Sequence, residues 1–247
     1  MDSIVAGSVA SLTAGLATGL GALPALVMAG KPERALDAML GFAAGVMVAA
    51  ASFGLLLPSL RLGSVWAAGP GFLAGAAFLD LASLAFQRFH PAQGADGTSS
   101  RLRRVWLLVL AMVIHNIPEG LSVGMSFGQE NQSAGTVMAI AIGLHNMPEG
   151  LAVALTIVRE GYGRGRAVGS ALLSGLTEPL VGIPSLVLVS GAQALLLSGL
   201  AFAAGAMLYV VFGEMIPESQ SRGYRREATV GAVLGFLWMV LLDRLFA

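Results

Sequence analysis

The chain contains no cysteine, which excludes disulfides and thiolate metal ligation and leaves the redox compartment unmarked. Charge is scarce as well, at 11% of 247 residues against roughly 25% in an ordinary soluble domain. No stretch is long and polar enough to build a separate soluble domain, so a single domain over residues 1–247 is expected. The 14 basic and 14 acidic residues cancel, and no nucleic-acid partner is expected. Asp2 stands where a secretory signal would carry Lys or Arg, and the basic flank of the first apolar run, Lys31 and Arg34, comes after it. That run is expected to stay as a membrane span.

In place of charge the chain has apolar surface: 56% hydrophobic residues and a mean hydropathy of +0.79 mark an integral membrane protein in contact with the lipid bilayer. Eight apolar stretches, near 4–29, 36–60, 64–87, 105–128, 134–158, 167–190, 193–213 and 228–246, are bounded by charged or turn-forming clusters. The expected fold is all-α, a polytopic bundle of eight transmembrane helices. With connections alternating across the bilayer, those after spans one, three, five and seven carry Lys31, Arg34, Arg88, Arg101, Arg103, Arg104, Arg159, Arg164, Arg166, Arg222, Arg225 and Arg226, against Arg61 and Arg244 on the other side. This asymmetry places the first set in the cytoplasm and both termini outside it. Glycines four residues apart (Gly15/Gly19, Gly41/Gly45, Gly71/Gly75, Gly120/Gly124) allow helix backbones to approach closely in lipid. Residues 91–100 form the one polar, Gly- and Ser-bearing linker, expected on the cytoplasmic side.

Within this oil one hexapeptide occurs twice: His115-Asn116-Ile117-Pro118-Glu119-Gly120 and His145-Asn146-Met147-Pro148-Glu149-Gly150. A charged group at mid-bilayer costs at least ~2.5 kcal/mol even on lenient scales, so residues kept there are functional candidates. The fourth, fifth and sixth spans have midpoints near 117, 146 and 178, which puts both motifs and Glu178 at one depth. His and Glu four residues apart share a helix face, with Asn rotated about 100° beside His. Each proline removes a backbone donor and clashes with the carbonyl four residues back, at Ile114 and Leu144, so the helix is expected to open or kink there. Gly120 and Gly150 then allow close packing.

Two imidazoles, three carboxylates (Glu119, Glu149, Glu178) and two amides (Asn116, Asn146) make a mixed nitrogen and oxygen donor set. It suits zinc, with iron(II), manganese, cobalt or cadmium also accommodated, over hard calcium or soft copper(I). No prosthetic group is expected.

The two hexapeptides, together with Ser174-Gly175-Leu176-Thr177-Glu178-Pro179 on the sixth span, resemble the transport site of the ZIP (Zrt-, Irt-like protein) family, in particular its bacterial GufA-like type. Phe212-Gly213-Glu214-Met215-Ile216-Pro217-Glu218-Ser219 adds to the likeness. The resemblance implies a divalent-metal transporter of the bacterial cytoplasmic (inner) membrane, not an enzyme, moving metal into the cytoplasm through a binuclear centre and working as a homodimer. It implies one metal on His115, Glu119, His145 and Glu149, and a second on Asn116, Asn146 and Glu178 with the motif glutamates bridging. It also implies an elevator-like movement of spans one, four, five and six past two, three, seven and eight. The family's His-rich cytoplasmic loop has no counterpart here beyond His90.

Readings of other classes use the same residues. A membrane di-metal enzyme would share the ligand types, although four-helix di-iron sites use Glu-x-x-His rather than His-x-x-x-Glu. A haem protein would take His115 and His145 as axial ligands, with the glutamates set against an apolar macrocycle. Interhelical hydrogen bonding alone would explain one such residue better than seven. Asp80 is expected to line a pathway or pair with a polar neighbour. Glu214 and Glu218 are expected to receive exiting metal or to form a solvated helix end.

Overall fold

In the computed structural model, which describes residues 3–27, 33–89, 98–129, 132–191 and 194–246, every regular element is helical. The helices make eight rods. The first, α1 (Ser3–Ala22), tightens into a 3-10 turn at Leu23–Leu26, and α2 (Glu33–Leu62) passes through a π-helical segment at Ala50–Leu56. Then come α3 (Val65–Phe89), α4 (Thr98–Phe127) and α5 (Gln132–Arg159). Two pieces, Arg164–Gly175 and Thr177–Gly191, make α6. In α7, Ala194–Val210 continues through a π segment, Val211–Met215, to Ile216–Ser219, and α8 (Arg225–Phe246) is last. Among the described residues seven rods, all but α4, meet the length and hydropathy of a membrane crossing. At 30 residues α4 is about 45 Å long, ample to span the bilayer. Residues 98–100, assigned to the linker from sequence, are helical, and 91–97 lie outside the described residues, as do Lys31 and His90.

The motif prolines do not open their helices. Both α4 and α5 run as unbroken α-helix through Pro118 and Pro148. The backbone widens instead in front of Pro58 and Pro217, where Leu57 N–H reaches back five residues to Ser52 O and Ile216 N–H to Val211 O. At both places the residue four before the proline is a glycine, Gly54 or Gly213, so the ring meets a backbone free to yield. The sixth rod is interrupted at Leu176, just ahead of Pro179.

Glycine contacts tie the rods into two close pairs, together one set, and a second set of four. A Cβ on Gly41 or Gly45 of α2 would lie 2.7 Å from the carbonyl carbon of Ala228 or Ala232 of α8, and Gly235 of α8 meets Phe42 of α2 in the same way. Reciprocal contacts join α3 to α7 through Gly75 and Gly205. The other set is α1, α4, α5 and α6: Gly15 meets Gly175, Gly150 meets Thr18, Gly120 meets Glu178 and Gly124 meets Gly182, all against main chain. Backbones this close gain dispersion over long seams, the main attraction between helices in lipid. Between the sets, glycines face methionine tips instead, Met138 of α5 on Gly54 of α2 and Met125 of α4 on Gly199 of α7.

Two apolar clusters lie along the bundle. One gathers Val123, Phe127, Met138, Leu186 and Met207, and the other Ala22, Leu40, Leu151, Ile157 and Ala171. The motif residues fall between them in α4, α5 and α6. At one end of the bundle the charges interlock: Arg222 bonds the fully buried Asp37 at 2.9 Å and also pairs with Glu218. Arg34 meets Glu227 at 2.9 Å, and Arg159 stands 3.8 Å from Glu33. At the opposite end Ser59 Oγ donates to Leu197 O at 3.0 Å, tying the far end of α2 to the start of α7.

Candidate metal centre

Helical spacing alone turns His115 and Glu119 to one side of α4 and His145 and Glu149 to one side of α5. The Gly150–Thr18 and Gly120–Glu178 contacts then fix both helices in depth against α1 and α6. The result is a crossed arrangement. His145 Nε2 lies 2.9 Å from Glu119 Oε1 on the other helix and 3.2 Å from Glu149 Oε2 on its own. His115 Nε2 lies 3.2 Å from Glu149 Oε1 and 3.6 Å from Glu119 Oε1. One donor atom from each of the four lies within 4.8 Å of every other.

Zinc takes nitrogen and oxygen ligands at 2.0–2.2 Å, so two ligands of one tetrahedral ion stand roughly 3.3–3.5 Å apart. The four His–Glu distances, 2.9–3.6 Å, bracket that spacing, within a donor set that spans up to 4.8 Å. Two carboxylates and two neutral imidazoles carry the charge that balances one divalent cation. The imidazoles stack at 6.2 Å between ring centroids, 12° from parallel, with Glu119 and Glu149 against both. A haem between the rings would need the space those carboxylates occupy.

The amides are held differently. Asn146 Nδ2 donates to Ala14 O at 2.7 Å and to Glu178 Oε1 at 2.6 Å, and Asn116 Nδ2 donates to Ser174 O at 2.8 Å beside the α6 interruption. With the amide nitrogens so engaged, both amide oxygens are buried without a hydrogen-bond partner. Among the described residues eleven buried side-chain polar atoms lack such a partner, and nine belong to the seven predicted residues: His115, Asn116, Glu119, His145, Asn146, Glu149 and Glu178. Four of the nine, His115 Nε2, His145 Nε2, Glu119 Oε1 and Glu149 Oε2, face one another at 2.9–3.6 Å; the other five have no such neighbour, and an unpaired buried polar atom costs about 1–3 kcal/mol, so together they make a donor set held ready for a cation.

All seven residues are buried, with slight exposure at His115 and Glu149 alone. Beyond them, His115 Nδ1 lies 3.6 Å from Oε2 of Glu214, whose side chain is 52% exposed. Glu214 therefore approaches the site itself, a proximity sequence position does not reveal because the π segment of α7 sets it. Glu218, one turn on, pairs with Arg222. Asp80 accepts a 2.5 Å bond from Tyr209 between α3 and α7 and lies outside the four-residue cluster. The contribution of α1 had no signal in the motifs: Ala14 O orients Asn146, Ser11 Oγ donates to Glu178 O at 3.4 Å, and Thr18 packs on Gly150. The Gly15/Gly19 spacing marked α1 as closely packed without naming its neighbours.

Comparison with known proteins agrees with this geometry. The family model described as ZIP Zinc transporter matches residues 83–243. The chain is 41% identical to the zinc transporter GufA of Myxococcus xanthus, covering 96% of this chain and 98% of that protein. It is 41% identical to the zinc transporter ZIPB of Bordetella bronchiseptica, over 92% of this chain and 77% of that one. The human zinc transporter ZIP11 is 33% identical over 92% and 93% of the two chains. A membrane-embedded His and Glu cluster, repeated motifs and full-length likeness converge, and the chain belongs to the ZIP family of metal transporters, not to an enzyme class.

Proposed function

We propose that this protein carries divalent transition metal across the membrane, zinc foremost, with cadmium, iron(II), manganese and cobalt within reach of the same donors. The observation that carries the proposal is the crossed His115, Glu119, His145 and Glu149 set, with ligand atoms within 4.8 Å of one another in an apolar bundle. These four hold one ion. Asn116, Asn146 and Glu178 hold a second, with Glu119 and Glu149 bridging; the oriented amide oxygens and the third carboxylate support that assignment.

Direction follows from access. Val123, Met125, Phe127, Met138 and Leu186 are buried on one side of the site, while on the other His115 approaches the half-exposed Glu214. That second side is the end carrying the arginine-rich connections, which supports release to the cytoplasm, both termini outside it and residence in a bacterial inner membrane. Backbone seams within α1, α4, α5 and α6, and within α2–α8 and α3–α7, against adaptable methionine contacts between the sets, support an elevator-like slide of the first set past the second. The homodimer implied by the family resemblance completes the proposal.

The test is uptake of zinc and cadmium into proteoliposomes by wild type beside Glu119→Ala and Glu149→Ala, each checked for folding. Saturable uptake by wild type that is lost in both variants is expected. Uptake that persists in the folded variants would remove the site from the pathway.

A further inference from the structure

A groove of about 660 Å³ lies between α2 and α8, away from the metal centre. Gly41–Ala228 and Gly45–Ala232 rise together along both helices, and so do Ala38–Gly231 and Phe42–Gly235, so α2 and α8 are parallel and begin at the same membrane face. Ala38 and Gly231 lie on this close seam and floor the groove, while the larger side chains on either side form its walls. The walls are apolar: Met39, Phe42, Val230 and Leu234, the last two 51% and 54% exposed. At the mouth stand Arg34 and Arg226. Arg34 is committed to Glu227 at 2.9 Å, whereas Arg226 has no polar partner among the described residues.

From Arg34 to Phe42 the groove runs about 12 Å down the helix, the rise of eight residues. Its chemistry therefore changes along its length, from cationic at the membrane surface to apolar within. The first turns of the two helices carry Glu33 and Glu227, and Glu227 is neutralised by Arg34, so the net positive charge at the mouth is that of Arg226. We infer that this groove binds one anionic phospholipid, its phosphate against Arg226 and the first turn of α8, and one acyl chain along Met39, Phe42 and Leu234. Basic pockets between helices at the cytoplasmic face are a general means of holding anionic headgroups. A zwitterionic lipid would satisfy the apolar wall equally well but would bring its own cation to Arg226.

Native mass spectrometry of the delipidated protein, titrated with phosphatidylglycerol or with phosphatidylcholine of the same chains, tests this. One phosphatidylglycerol is expected to bind at least tenfold more tightly than phosphatidylcholine. Arg226→Gln should weaken it roughly fivefold, the worth of one arginine near an anionic surface. Val230→Trp, which fills the groove from its exposed wall, should abolish it. Arg166→Gln, on α6 and remote from the groove, should leave binding unchanged. Equal binding of the two lipids, no effect of Arg226→Gln, or a change of oligomeric state in Val230→Trp, which would make the groove a contact between copies of the chain, would each overturn the inference.

Discussion

Gly150 ends the second hexapeptide, and replacing it by alanine tests whether the motif glycine positions the metal ligands. A Cβ there would sit 2.8 Å from the carbonyl carbon of Thr18 and closer still to its oxygen, where ordinary contact begins at 3.4 Å. Neither atom belongs to a flexible side chain, and the nearer oxygen sets the requirement, so α5 must move from α1 by about 1 Å or more, and overpacking of this kind costs about 1–3 kcal/mol. His145 and Glu149 ride on α5 within two turns of the contact, whereas metal sites tolerate about ±0.2 Å in ligand distance. Zinc affinity should therefore fall about 10–100-fold, the range seen when the support of a metal ligand is removed. Equilibrium dialysis with radioactive zinc on detergent-purified protein, beside proteoliposome uptake and a melting curve, reads all three effects. Gly169→Ala is the control, because a Cβ there meets nothing within 4 Å and the helix gains up to ~1 kcal/mol from alanine. If Gly150→Ala binds and transports zinc as Gly169→Ala does, the α1–α5 seam does not set the ligand geometry and the reasoning fails.

Zinc at 100 times its dissociation constant should stabilise wild type by about 2.7 kcal/mol, raising the melting temperature, and should leave Glu149→Ala unmoved; equal shifts in both would place binding elsewhere. Tyr209→Phe removes the bond to Asp80 and should cost about 0.6 kcal/mol, the usual worth of an interhelical hydrogen bond, with zinc uptake unchanged. Loss of uptake in a stable Tyr209→Phe protein would instead put Asp80 on the metal pathway. Arg222→Gln leaves the fully buried Asp37 without its 2.9 Å partner and should destabilise by about 3 kcal/mol, visible in thermal denaturation. An unchanged melting curve would show that the Tyr224 N–H, 3.3 Å from Asp37, suffices.

Composition and motif spacing are enough to establish the class of the protein and the identity of the donors. Scarce charge and long apolar runs leave only a membrane bundle, because backbone polar groups in lipid must be satisfied within helices. A histidine and a glutamate one turn apart, repeated at the same depth on two spans, declare a ligand set because burial without purpose is too costly there. Helical periodicity could not decide which histidine meets which glutamate. The crossed pairing of His145 with Glu119 and His115 with Glu149 follows from how far α4 and α5 approach, and main-chain contacts at Gly120 and Gly150 set that approach. Nor could the proline rule locate the openings. Pro118 and Pro148 sit in unbroken helix, while the backbone departs from α-helix before Pro58, Pro179 and Pro217, since whether a helix yields depends on what surrounds the carbonyls the proline displaces. The carbonyl of Ala14, which orients Asn146, and the approach of Glu214 to His115 are likewise decisions of tertiary structure. Both join residues more than 90 positions apart in the chain, and only the packed bundle brings them together.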